Sequence, residues 1–166
     1  QTLSRKTTAK LTTFFPAYSS IEAVRAFEEI IVDKDCAVHY ANSMSVRLGC
    51  LYAHHFIHCN RGVNGIEGSL STAAGYSLST KKPVYCVIGD LSFFYDQNAL
   101  WNTNLRGNLR ILLLNNGGGG IFQKFDALQK SVADSNNVMA LHLTSAQGIC
   151  MENHVEYHCA TNEMEL

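Results

Sequence analysis

Residues 84–120 read VYCVIGDLSFFYDQNALWNTNLRGNLRILLLNNGGGG, and this stretch decides the fold. Two apolar runs, residues 84–88 and 110–114, are short and do not alternate with polar positions. A strand wetted on one face alternates. A strand buried on both faces reads as a continuous apolar run, the pattern of a parallel sheet covered by helices. Between the runs, residues 95–104 carry Ala99, Leu100 and Trp101 and read as a helix. Upstream, residues 68–80 read as another helix, with Ser69, Ala73, Ala74 and Gly75 small enough for close packing. Residues 36–41 and 55–59 are two more strand-like runs, and residues 155–159 a fifth candidate. Ahead of them Ile21, Val24, Phe27, Ile30 and Ile31 recur at helical spacing, with Ser19 or Ser20 as N-cap and Glu22 and Glu28 on other faces. This alternation predicts an α/β fold: a three-layer parallel sheet with helices on both faces, joined by right-handed crossovers.

Open parallel sheets bind ligands at the C-terminal ends of their strands. The third strand ends in Gly89-Asp90, the fourth in Asn115-Asn116-Gly117-Gly118-Gly119-Gly120. A carboxylate, a carboxamide and a backbone carbonyl freed by glycine are hard oxygen donors. They suit Mg²⁺ (or Mn²⁺) held jointly with phosphate oxygens. The glycine run also admits a phosphate close to backbone N–H groups. A helix opening near residues 92–95 turns its positive end to the same anion. Other phosphate motifs do not fit: residues 117–120 are followed by Ile121-Phe122, not by Lys-Ser or Lys-Thr, and no GxGxxG opens a helix after the first strand. Taken singly, Asp90 is a plain helix N-cap and the glycines a loose loop. Taken together, at the ends of two successive strands, they read as a metal–diphosphate site.

The 166 residues suit one domain, with residues 1–18 as a linker and residues 19–166 as the folded unit. The missing initiating Met, and a C-terminus at residues 162–166 that resembles the first turn of a helix, read as the ends of a fragment of a longer chain. A formal net charge of −1 gives no field to attract nucleic acid or an anionic membrane, so an anionic ligand must be held by local groups. No apolar stretch is long enough to span a bilayer. Six cysteines without a CxxC pair read as buried, reduced thiols of a cytoplasmic protein. His54, His55, His58 and Cys59 invite a metal reading, but alternate residues of a strand face opposite sides and cannot converge on one ion. Cys150, His154 and His158 would align only on a helix, and residues 157–159 look like a strand. Zinc is not expected at either cluster.

Gly89-Asp90, the spacer from Leu91 to Leu114, and Asn115-Asn116 resemble the cofactor motif of thiamine-diphosphate enzymes. Leu91-Ser92 stands where most of that family has a further Gly and another small residue. Residues 89–100, with segments 42–47, 60–75 and 115–122, resemble the branch of the family that serves menaquinone biosynthesis. That resemblance implies decarboxylation of 2-oxoglutarate and addition of the succinyl-semialdehyde carbanion to isochorismate. It also implies roles for individual residues. Asp90, the Asn116 side chain and the Gly118 carbonyl ligate Mg²⁺. Gly65, Leu91, Ser92 and Gly119 line the cofactor, and Ile66 is the bulky apolar residue beneath the thiazolium ring. Arg47 and Arg61 grip substrate carboxylates. Ile121 and Phe122 wall the reaction space or anchor the loop by burial. Ser43 contacts cofactor or substrate, or caps a helix. Read from residue type alone, the arginines are as readily solvated surface groups and Ile66 an ordinary core residue.

The family completes its site with a pyrimidine-binding domain, usually of a partner subunit, whose Glu activates the cofactor. No such domain is recognised in this chain and Glu67 is no substitute, so no catalytic acid or base is expected here. The chain alone is expected to be inactive, and the whole protein a homodimer or homotetramer. Two other functions stay open: an acetolactate-synthase-like 2-oxo acid decarboxylase, against which Leu91-Ser92 and the paired arginines speak, and a non-catalytic Mg²⁺-diphosphate-binding module.

Overall fold

The computed structural model describes residues 10, 13–124 and 137–166, so most of the linker read over residues 1–18 lies outside the described residues. The elements are α1 (Ser20–Ile31), β1 (Ala37–Tyr40), α2 (Met44–Tyr52), β2 (Ile57–His58), α3 (Ser69–Ser79), β3 (Val84–Gly89), α4 (Asp90–Tyr95), a 3-10 turn (Gln97–Trp101), β4 (Leu109–Leu114), a second 3-10 turn (Gly120–Lys124) and α5 (Gln147–Glu152). The four strands form one parallel sheet in the order β2-β1-β3-β4.

Both faces of this sheet are covered, which is why β3 is apolar throughout. Val84, Cys86 and Ile88 pack with Leu70, Ala73 and Ala74 of α3, Phe93 of α4 and Cys150 of α5. Val87 faces the other way, with Val38, Tyr40 and Leu114, against Val24 and Ile31 of α1 and Val46 and Leu48 of α2. The expected three-layer α/β arrangement is the observed one. The small residues of α3 do what their size allows: Ala73 is fully buried and Ala74 nearly so.

Several local expectations change. The Ser19 hydroxyl caps α1 by accepting the Glu22 N–H, but Glu22 and Glu28 are buried while Ile30 is 58% exposed. The reason is pairing. Glu22 is held by Arg25 at 2.6 Å, and Glu28 accepts the Tyr40 hydroxyl at 2.5 Å and faces His55 Nε2 at 2.9 Å. The single helix expected over residues 95–104 is replaced by α4 and the 3-10 turn, with Asp96 between them and Trp101 exposed. Residues 155–159 join no ladder; Val155 and Tyr157 pack on the core as irregular chain. Residues 162–165 make a turn closed by Glu165 N–H on the Asn162 carbonyl, and no helix. All six cysteines are free, yet only Cys86 and Cys150 are buried, and Cys50 and Cys159 are exposed.

The topology fixes where a ligand would sit. From β1 the chain moves outward to β2, then returns across β1 to pair β3 on its other side. Loops leaving β1 and β3 therefore diverge and open a crevice at the C-terminal ends of these strands, the switch point where open α/β sheets bind ligands.

Candidate cofactor-binding site

On the β1 side the crevice is organised by Asn42, which follows the strand and is 5% exposed. Its Nδ2 donates to the carbonyls of Asn60, Val63 and Gly65 at 2.7, 3.1 and 2.6 Å. One buried amide thus folds the whole loop after β2 over the crevice. Its Oδ1 accepts Arg61 Nη1 at 3.4 Å, which ties that guanidinium to the same place. Ser43 comes next, with φ 73, and makes no capping bond to α2, so the N-cap reading fails. A serine held in a left-handed conformation at a crevice is strain of the kind stored at ligand sites.

On the β3 side, Asp90 opens α4 and is 3% exposed. Its Oδ1 accepts the Leu91 N–H at 2.7 Å, and its Oδ2 accepts the Gly118 N–H at 2.9 Å. Among the described residues no Lys or Arg lies at ion-pair distance; only His142 Nε2 approaches, at 3.2 Å from Oδ2. The Asn116 carboxamide turns one end to Asp90 Oδ2 and the Gly118 carbonyl, at 3.2 and 3.0 Å. With nitrogen there, Asn116 donates to both. With oxygen there, three oxygens converge. Their separations are close to the edge of an octahedron built from bonds of 2.0–2.1 Å, about 2.9 Å. A buried carboxylate with no Lys or Arg at ion-pair distance among the described residues, beside a carboxamide and a backbone carbonyl, fits a small divalent cation.

The glycine loop serves this group differently from the expected phosphate cradle. The Gly117 N–H donates to Asn115 Oδ1, Gly118 to Asp90, Gly119 to the Met139 carbonyl at 2.7 Å, and Gly120 to the Gly118 carbonyl. All four N–H groups are committed within the chain. What glycine provides is close packing: a Cβ on Gly118, whose φ is 147, would lie 2.8 Å from the Met139 carbonyl oxygen. The segment Met139–Thr144 straps the loop, with the His142 N–H on the Gly117 carbonyl at 3.1 Å and Asn115 Nδ2 on the Thr144 carbonyl at 2.9 Å. His142 Nδ1 accepts the Thr144 N–H at 3.1 Å, and its buried Nε2 lies 3.2 Å from Asp90 Oδ2 without making a hydrogen bond.

The remaining expected residues sort by element. Leu91 and Ser92 occupy the first turn of α4, and the Ser92 hydroxyl donates to the Ile66 carbonyl, joining the two sides of the crevice. Ile66 is half-buried beside Gly65, over which the Glu67 carboxylate folds. Arg47 is exposed on α2, and Arg61 is exposed but tethered to Asn42. Ile121 and Phe122 are half-buried in the second 3-10 turn, and the Phe122 ring lies against Gly119. Asn42 and His142 were not singled out from the sequence. Asn42 had a signal, since an Asn directly after a buried strand stands where a turn begins; His142 had none, because only folding brings it to Asp90.

A parallel sheet whose switch point gathers a buried acid, a carboxamide and a glycine carbonyl defines a cofactor-binding α/β domain. The family described as thiamine pyrophosphate enzyme, C-terminal TPP binding domain, matches residues 40–156, and the chain belongs to this family. Among curated proteins, the 2-succinyl-5-enolpyruvyl-6-hydroxy-3-cyclohexene-1-carboxylate synthase of Bacteroides thetaiotaomicron is 48% identical over 152 residues, covering 90% of this chain and 27% of that protein. The protein of the same name from Christiangramia forsetii is 40% identical over 152 residues, covering 90% of this chain and 26% of that protein. The one from Desulfotalea psychrophila is 56% identical over 89 residues, covering 52% of this chain and 17% of that protein. The chain therefore spans about a quarter of the length of relatives such as the first.

Proposed function

We propose that this chain is the diphosphate-binding half-site of a synthase that decarboxylates 2-oxoglutarate and joins the four-carbon remainder to isochorismate in menaquinone biosynthesis. The observation that carries the proposal is the convergence of the Asn116 carboxamide and the Gly118 loop on the buried Asp90 carboxylate, which no Lys or Arg among the described residues pairs, in a chain 40–48% identical over most of its length to synthases of that name. In this reading those three groups would hold Mg²⁺ (or Mn²⁺), which would neutralise the cofactor's diphosphate. Thiamine diphosphate, when bound, supplies the electron sink for decarboxylation and carbon–carbon bond formation. The chain's own part is binding, orientation and charge. Gly65, Leu91, Ser92 and Gly119 would line the cofactor, and Ile66 would supply the apolar support for its ring. Arg61, steered by Asn42, and Arg47 take substrate carboxylates, where hydrogen bonds to charged groups are worth about 1.5–3 kcal/mol each. Ser43, Ile121 and Phe122 border the substrates.

The pyrimidine-binding domain of a partner subunit completes the site in a homodimer or homotetramer, so this chain alone does not turn over. The protein works in the cytoplasm. Full-length protein with Mg²⁺, thiamine diphosphate, 2-oxoglutarate and isochorismate should consume isochorismate and give a product carrying the succinyl unit, read by mass. Decarboxylation with isochorismate untouched would refute the acceptor. No cofactor binding in a parallel titration would refute the half-site. Arg47→Ala and Arg61→Ala should raise KM; unchanged KM and kcat would remove those two assignments.

A further inference from the structure

Helix α4 reaches beyond Asp90 to two other points of the crevice wall. The Ser92 hydroxyl holds the Ile66 carbonyl. Just past the helix, Asp96 is 6% exposed, and both of its oxygens are used on one residue of α3: Oδ2 accepts the Ser71 N–H at 2.8 Å and Oδ1 accepts the Ser71 hydroxyl at 2.5 Å. Helix α3 needs this. Its own N-cap position is Gly68, left-handed at φ 77 and without a capping side chain. The third N–H of a helix is one that an N-cap would normally satisfy. Here it is satisfied from another element, by a charge that also complements the positive helix end.

The consequence is geometric. The turn from Ile66 to Ser71 is anchored at both ends on one short rigid segment, residues 92–96, and the same segment carries Asp90. We infer that Asp96 is a positioning residue. By capping α3 from outside it fixes Ile66 relative to Asp90, and so sets how a cofactor held at Asp90 meets the apolar platform at Ile66. Ser92, Asn42 and Asn60 each hold one carbonyl of this turn, those of Ile66, Gly65 and Gly68, and single bonds of this kind do not fix the direction of α3. The Asp96 clamp does. The inference rests on the cofactor reading proposed above.

The test uses the full-length protein. Asp96→Ala should lower kcat by about 10–100-fold, as expected when a catalytic geometry shifts by about 1 Å, and weaken thiamine diphosphate binding by about tenfold. Mn²⁺ affinity measured with inorganic diphosphate should stay within about twofold, because the Asp90 end is intact. Asp96→Asn keeps one acceptor oxygen and should restore most of kcat. If Asp96→Ala does not fold, Ser71→Ala removes only the hydroxyl contact and should still reduce kcat by about threefold or more, about 0.7 kcal/mol. A variant that melts earlier but keeps the wild-type kcat and cofactor affinity would overturn the inference and leave Asp96 as a fold anchor only. If the wild-type protein binds no thiamine diphosphate, the site reading fails and the inference falls with it. Binding by wild type together with an unaffected variant refutes the inference alone.

Discussion

Gly118→Ala tests whether the glycine loop is built for close packing. Gly118 has φ 147, which L residues rarely adopt, and an added Cβ would meet the Met139 carbonyl oxygen at 2.8 Å, Leu141 Cδ2 at 3.0 Å and Leu141 Cα at 3.3 Å. Two of these atoms are backbone and cannot swing away. Gly107 is the control: it also has positive φ, 76, but nothing lies within 4 Å of its Cβ position. Gly107→Ala should cost only the left-handed backbone penalty, about 1–2 kcal/mol. Gly118→Ala adds overpacking of about 1–3 kcal/mol. It also strains the bond from the Gly119 N–H to the same Met139 carbonyl, worth about 1 kcal/mol. The total is about 3–6 kcal/mol, a large share of the 5–15 kcal/mol typical of a domain. Urea denaturation of the two variants beside wild type gives the comparison directly. A Gly118→Ala cost within about 0.5 kcal/mol of Gly107→Ala would refute the packing argument. Because the Gly118 carbonyl is one of the three groups proposed to hold the cation, the folded fraction should also bind Mn²⁺ more weakly, and an unchanged affinity would detach that carbonyl from the proposed site.

Three further outcomes follow from buried groups. His39 is 4% exposed with an unpartnered Nε2, and burial, with His58 nearby, lowers its pKa from 6.5 to about 4. The unfolded chain then binds a proton that the folded chain refuses, so stability should fall as pH drops from 6.5 to about 4, by up to about 3 kcal/mol, and be flat above that window; His39→Gln should flatten the whole profile of Tm against pH. Tyr40→Phe strips Glu28 Oε1 of its hydroxyl donor inside the core and should cost about 1–3 kcal/mol in urea denaturation. Cys86, fully buried with its thiol pushed up to about 12, should resist alkylation in the native state while exposed Cys50 and Cys159 react, and mass mapping that finds Cys86 labelled first would contradict the packing of β3.

The sequence by itself determined the class of fold and which residue types stand at the ends of its strands. The apolar runs at residues 84–88 and 110–114 read as covered strands; β3 is buried as expected, whereas β4 is mostly half-buried with Arg110 exposed, and Gly89-Asp90 with Asn115-Asn116 placed hard oxygen donors at their ends. Those are local properties: periodicity, residue type and position after a strand. What tertiary structure alone decided concerns groups far apart in the chain. Glu22 and Glu28 read as solvent-facing because their type is polar, and became core because Arg25, Tyr40 and His55 reach them there. The glycine N–H groups read as a phosphate cradle because glycine permits one, but Asn115, Asp90, the Met139 carbonyl and the Gly118 carbonyl take them first. Residues 95–104 read as one helix because Ala99 and Leu100 favour it, but Asp96 is drawn to the uncapped end of α3 and splits the segment. Asn42 and Asp96 act on partners that no spacing rule links to them, because each satisfies backbone groups that become buried only when the sheet closes.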